Sequence, residues 1–155
     1  MEEIEIGLKF KRLKNAELSE EDTKIRHAAI HAAKRAYAPY SHFHVGAALL
    51  LSDGTIVEGN NQENVAYPSG LCAERVALFA AGASFPEIPV VTLAIVAMKD
   101  GMIQPEIAPC GGCRQVMLET ELRYEQPIRV LLCGREETIL VASAKDLLPI
   151  SFIEI

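Results

Sequence analysis

The chain has 155 residues, half of them hydrophobic and 23% charged, with a formal net charge of −6, which is enough for one domain with a sizeable core. An acidic chain lacks the clustered Lys and Arg that nucleic acid and anionic membranes demand, so it favours a small neutral substrate. No apolar run reaches bilayer-spanning length, and Met1-Glu2-Glu3-Ile4-Glu5 is no basic leader; the expected compartment is the cytoplasm, where thiols stay reduced and clustered cysteines read as metal or catalytic groups.

Residues 3–11 alternate, with Ile4, Ile6, Leu8 and Phe10 between charged neighbours. A period of two predicts a short strand or extended arm. We divide the chain into an arm over residues 1–18 and a single domain over residues 19–155. Ser19 with Asp22 resembles a capping box. Beyond it, Ile25, Ala28, Ala29, Ala32, Ala33, Ala36 and Tyr37 share one helical face, narrow enough to pack closely on a sheet, and Pro39 ends the run. Residues 43–51 read as a strand, Asp53-Gly54 as a tight turn, and Thr55 to Gly59 as the return strand. A polar loop over 60–71 precedes a helix over 72–81. Residues 90–97 are β-branched and almost continuously apolar, the mark of a central strand buried on both faces. Lys99-Asp100-Gly101 turns the chain, and Pro109 suits the entrance to a helix over 110–121. Residues 128–133 and 138–141 are two further strands. The order of elements predicts an α/β domain, three layers (α/β/α) around a mixed sheet of about five strands.

The chemistry lies in two segments, Cys72-Ala73-Glu74-Arg75 and Pro109-Cys110-Gly111-Gly112-Cys113-Arg114. Cys110 and Cys113 are three apart, so on a helical turn they share a face. All three cysteines fall at helix starts, where the dipole favours the thiolate that zinc needs. Three protein ligands and an open fourth position make a catalytic zinc; a structural zinc takes four. A first ligand, one residue, a Glu and a later P-C-x-x-C is the signature by which zinc deaminases are known. A lone C-x-x-C also reads as a redox pair or half a structural site, and Glu74 alone as a solvated helix carboxylate. Together the segments make Glu74 the general acid and base. Three thiolates leave a net −1 around Zn²⁺, so we expect Arg75, Arg114 or both to donate to the thiolates and offset that charge; the alternative is two surface arginines.

The chain resembles the cytidine deaminase family, in its small form with three Cys ligands. The resemblance runs from about Tyr37 to Phe152. It rests on Tyr40-Ser41-His42-Phe43, Val45-Gly46-Ala47-Ala48-Leu49, Asn61-Gln62-Glu63-Asn64, the two cysteine segments, and Leu147-Leu148-Pro149 with Phe152. It implies that Cys72, Cys110 and Cys113 bind zinc and that Glu74 moves protons. It also implies that Asn61 and Glu63 bind the ribose hydroxyls, that Phe43 packs on the nucleoside, and that Ala73 offers its backbone to the pyrimidine edge. The family is typically homotetrameric, with Phe152 reaching a neighbouring subunit's site and Tyr67 an interface candidate. The implied reaction converts cytidine or deoxycytidine to uridine or deoxyuridine plus ammonia, a step of pyrimidine salvage. Without the resemblance, Asn61 and Glu63 are turn residues and the two phenylalanines are core aromatics.

Two other classes compete. A non-catalytic zinc-stabilised binding module needs a fourth ligand, from Cys133 or a His. A thiol redox protein using Cys110 and Cys113 leaves Cys72 and Glu74 without a role. Within the deaminases, residues 60–71 contain no Lys or Arg, which disfavours a nucleotide, and Cys72 with an acidic surface disfavours tRNA. Another cytosine-containing small molecule remains an alternative substrate. Cys133 reads as a buried, inert thiol, His27 and His31 as a solvated pair, and His42 as a loop residue.

Overall fold

The computed structural model describes residues 1–153. In chain order its elements are β1 (Lys11–Lys14), α1 (Glu20–Ala33), β2 (His44–Leu51), β3 (Ile56–Asn60), α2 (Ala73–Ser84), β4 (Val90–Lys99), β5 (Met102–Ile103), α3 (Gly111–Tyr124), β6 (Arg129–Cys133) and β7 (Glu137–Val141), then a 3-10 turn at Ala144–Leu147. A single mixed sheet runs β1-β7-β6-β4-β2-β3, with β5 paired to β4. The β4–β6 pair is parallel, from Thr92 opposite Arg129 to Val96 opposite Cys133. A parallel pair requires a crossover, which α3 supplies.

The predicted three layers are present. Along the apolar runs of β2, β4 and β6, alternate residues face opposite ways. Leu49, Leu93, Ile95 and Val130 pack with Ala77, Leu78 and Met117 of α2 and α3. Ala48, Ala94, Val96 and Leu131 pack with Ile25, Ala29 and Ala33 of α1. Two glycines permit this closeness. Gly46 lies against the α1 backbone at Ala29 and Ala33, and Gly59 against α2 at Ala73 and Ala77.

Four local expectations are revised. The sheet has seven strands where about five were expected, because β1 joins one edge and the short β5 pairs with the end of β4. The alternating residues 3–10 are not a strand; the strand of the arm is Lys11–Lys14. Lys11 pairs with Leu140, and β7 ends at Val141, so residues before Lys11 run past the end of their partner. Helix α1 stops at Ala33, well ahead of Pro39. There the backbone of Tyr37 leaves to pair with the 60–71 loop, its N–H donating to Asn61 O at 3.0 Å and its carbonyl accepting from Glu63 N at 2.8 Å. Half of the capping box forms: Asp22 N donates to Ser19 Oγ at 3.0 Å, but the Asp22 carboxylate meets Arg129 at 3.0 Å. Among the described residues no helix is long and apolar enough to cross a membrane.

Candidate active site

Two helix N-termini converge on one point. Cys72 caps α2 and Cys110 caps α3, both with extended backbone, which places their thiols beside unpaired first-turn N–H groups. Cys113 lies buried in the first turn of α3. The Cys72 and Cys110 sulfurs are 3.8 Å apart, those of Cys110 and Cys113 3.5 Å, and all three lie within 4.8 Å of one another. Sulfurs held at 2.3 Å around a tetrahedral zinc stand about 3.8 Å apart, so the cluster fits that ion. Among the described residues it recruits no fourth His, Cys, Asp or Glu ligand. Cys133 packs on the opposite, α1 face of the sheet, where burial pushes its thiol up to about 12. That removes the cysteine that would have closed the site.

The cluster is electrostatically uneven. Cys72 is pulled down to about 5, first by the Cys113 thiol and then by Arg75, while Cys113 is pushed up by its hydrogen bond to Cys72. Arg75, three residues beyond Cys72 and so on the same helical face, places Nη2 at 3.6 Å from the Cys72 sulfur. Arg114 does not meet its expectation. Its Nε donates to Pro109 O at 2.8 Å and its Nη1 to Leu147 O at 2.9 Å, so two backbone carbonyls occupy it and neither bond goes to a thiolate. Glu74, one residue into α2, is 4% exposed. Burial raises its pKa, and the charge on Cys72 adds to the effect.

A cavity of about 620 Å³ is lined by Cys72, Ala73, Glu74 and Cys110 together with Asn61 and Glu63. The carboxamide of Asn61 is clamped between two strand-entry groups. Its oxygen accepts from Val45 N at 2.8 Å, and its nitrogen donates to Phe43 O at 2.9 Å. Glu63 accepts from Tyr40 N at 2.8 Å, from Ser41 N at 3.2 Å and from the Ser41 hydroxyl. The Ser41 hydroxyl is the first cause holding that carboxyl below its ordinary range. Two expected substrate contacts lie elsewhere in the single chain. Phe43 is half-buried and outside the cavity lining, and Phe152 is 85% exposed, its carbonyl accepting from Gln115 Nε2 at 2.8 Å. Sequence reasoning missed Ile107 and Ala108, which also line the cavity. It also missed the Ser41 hydroxyl on Glu63, although Tyr40-Ser41 stood in a quoted motif.

A mixed sheet flanked by helices, with three convergent thiols and a buried carboxylate at two helix N-termini, defines a zinc-dependent hydrolytic enzyme. The model of the cytidine and deoxycytidylate deaminase zinc-binding region matches residues 19–125. The chain is 42% identical over 124 residues to the cytidine deaminase of Halalkalibacterium halodurans, covering 80% of this chain and 88% of the relative. It is 40% identical over 134 residues to that of Mycobacterium tuberculosis, covering 83% and 86%. The crystal structure of cytidine deaminase from Burkholderia pseudomallei superposes with a TM-score of 0.73 at 40% identity, covering 87% of this chain and 100% of that one. The chain therefore belongs to the cytidine and deoxycytidylate deaminase family.

Proposed function

We propose that this enzyme hydrolytically deaminates cytidine and deoxycytidine, giving uridine or deoxyuridine and ammonia. One observation carries the reading: the buried Glu74 shares one cavity with two thiols of an open three-sulfur cluster, Cys72 and Cys110, and with the polar side chains Asn61 and Glu63. When bound, zinc supplies a Lewis acid that lowers the pKa of water at its open position to roughly 7. Glu74 does the proton work. Burial raises its pKa, the direction that suits a group which must hold a proton as well as give it up. The water oxygen bonds to C4, the C4–N4 bond breaks, one water proton ends on the departing ammonia and the other on ring N3. Ala73, the first residue of α2, presents its backbone to the pyrimidine edge. Glu63 accepts from a ribose hydroxyl, and Asn61 still has one N–H and one lone pair for another.

The lining favours a nucleoside over a nucleotide. Among the described residues Arg75 is the one Lys or Arg that lines the cavity, and it is turned to the Cys72 sulfur, which leaves no free cation there for a 5′-phosphate. The test is a comparison of cytidine, deoxycytidine and deoxycytidylate under matched conditions. Both nucleosides should turn over, the nucleotide far more slowly; a faster nucleotide, or two inert nucleosides, sinks this assignment. Arg75→Gln, at constant zinc content, should move the acidic limb of the pH–rate profile upward, because the charge it offsets returns and the nucleophilic water holds its proton to higher pH. A profile that stays put would remove Arg75 from the account.

The working assembly in this reading is a cytoplasmic homotetramer with shared sites, serving pyrimidine salvage. Support comes from exposed large apolar and aromatic side chains: Tyr37, Tyr40, Val65, Tyr67 and Phe79 are each at least half exposed. In this reading Phe152, which does not line its own cavity, reaches a neighbour's, and Phe43 packs on the nucleoside. Phe152→Ala should raise KM by roughly three- to tenfold, the value of one aromatic stacking contact, with kcat and thermal stability little changed. An unaltered KM would contradict a substrate contact.

A further inference from the structure

One buried carboxylate has no part in the reaction above. Glu121 of α3 is 6% exposed, yet its oxygens collect donors from three directions. They accept from Ile128 N at 2.7 Å, from Ala144 N at 2.7 Å, from Lys145 N at 3.2 Å, and from Ser143 Oγ at 2.8 and 3.0 Å. Ala144 and Lys145 begin the 3-10 turn at Ala144–Leu147. Amides at the start of such a turn have no partner within it, so Glu121 caps the turn from a different helix. The far end of the same turn is held by Arg114, through Leu147 O at 2.9 Å. Beyond the turn, Gln115 holds Phe152 O at 2.8 Å.

The three anchors belong to one helix. Arg114 and Glu121 are seven residues apart, two turns of α3, and so lie on one side of it. The first turn of that helix carries Cys113, with Cys110 as its cap. The helix that carries two of the three sulfurs therefore also holds the segment from Ser143 to Phe152 at three points, Ser143–Lys145, Leu147 and Phe152. A carboxylate suits this task better than an amide of equal size. All the groups aimed at Glu121 are donors, and an amide would turn an N–H against at least one of them.

We propose that Glu121 is a positioning residue for substrate binding: by capping the Ala144–Leu147 turn it sets where Phe152 stands relative to the helix that carries the zinc thiols. The inference rests on the reading of Phe152 as a substrate contact. It assigns Glu121 no contact with the reacting atoms, so its removal acts on KM through Phe152 and spares kcat.

The experiment is a double-mutant cycle on the zinc-loaded enzyme with cytidine, using Glu121→Gln, Phe152→Ala and both together, with Ser143→Ala as a milder second probe. Glu121→Gln should raise KM by roughly three- to tenfold, leave kcat within about twofold and zinc content unchanged, and add nothing to KM in the Phe152→Ala background. Ser143→Ala should shift KM in the same direction with the same dependence on Phe152, and it decides the matter if Glu121→Gln fails to fold. A variant that melts lower with an unchanged KM would show a purely structural carboxylate. Effects of Glu121→Gln and Phe152→Ala that multiply would show an action independent of Phe152. Either result overturns the proposal. If Phe152→Ala alone leaves KM unaltered, the substrate contact itself is wrong and the proposal falls with it.

Discussion

Replacing Glu74 by Gln is expected to lower kcat by roughly 10³–10⁴-fold while the protein keeps its zinc. Positioned acid–base catalysis contributes about 10²–10⁴-fold, and the upper end applies because in the proposed reaction Glu74 both removes a proton from water and returns one to nitrogen. Gln fits the same volume one residue into α2 and leaves Cys72, Cys110 and Cys113 untouched, so metal content should not move. Near-normal kcat would take Glu74 out of the reaction. The same variant carries a stability signature in the metal-free protein. Burial raises the Glu74 pKa above its ordinary 4.5, so the folded state holds that proton more tightly than the unfolded chain. The associated stability is complete below the unfolded pKa and is lost as pH rises through the raised value. Gln does not titrate, so the variant should gain on the parent as pH climbs through that window. Parallel melting curves at every pH would contradict a burial-driven shift.

The second large effect is expected at a residue that has no side chain. Gly59→Ala should cost about 3 kcal/mol or more, the upper end of what overpacking does or beyond it. An added Cβ would stand 2.5 Å from Ala77 N, 2.6 Å from Ala73 O and 2.8 Å from Ala77 Cβ. Two of these are backbone atoms of α2 and cannot rotate aside, so the helix must back away from β3. Its N-terminus carries Cys72, Ala73 and Glu74, so the loss of stability should come with a loss of kcat. Gly7→Ala is the control, since a Cβ there meets nothing within 4 Å. Urea midpoints and kcat for the two variants test this. A Gly59→Ala protein as stable and active as Gly7→Ala would mean that α2 does not depend on close approach at that point.

What could be read from the chain was what local pattern carries. The alanine stripe of α1, the apolar run of β4 and the cysteine spacing each state their own geometry, and the core and the metal cluster followed. What escaped depends on partners distant in sequence. Alternation over residues 3–11 names a face but no partner, and β7 ends before most of those residues could pair with it. β5 is two residues long and exists through its pairing with β4. Arg114 sits beside a thiol in sequence but is taken by Leu147, which only the fold brings near. Glu121 looks like any helix carboxylate until residues 143–145 return to it. Phe43 and Phe152 were named through resemblance, and in one chain neither lines the cavity.

The most direct test of the whole account is metal analysis and cytidine turnover on one pure preparation, before and after chelation. The account predicts a single zinc ion per chain, uridine and ammonia released in equal amounts, loss of both metal and turnover on chelation, and recovery of both with zinc. Zinc held by a fourth side chain without turnover, or full turnover in metal-free protein, would contradict it.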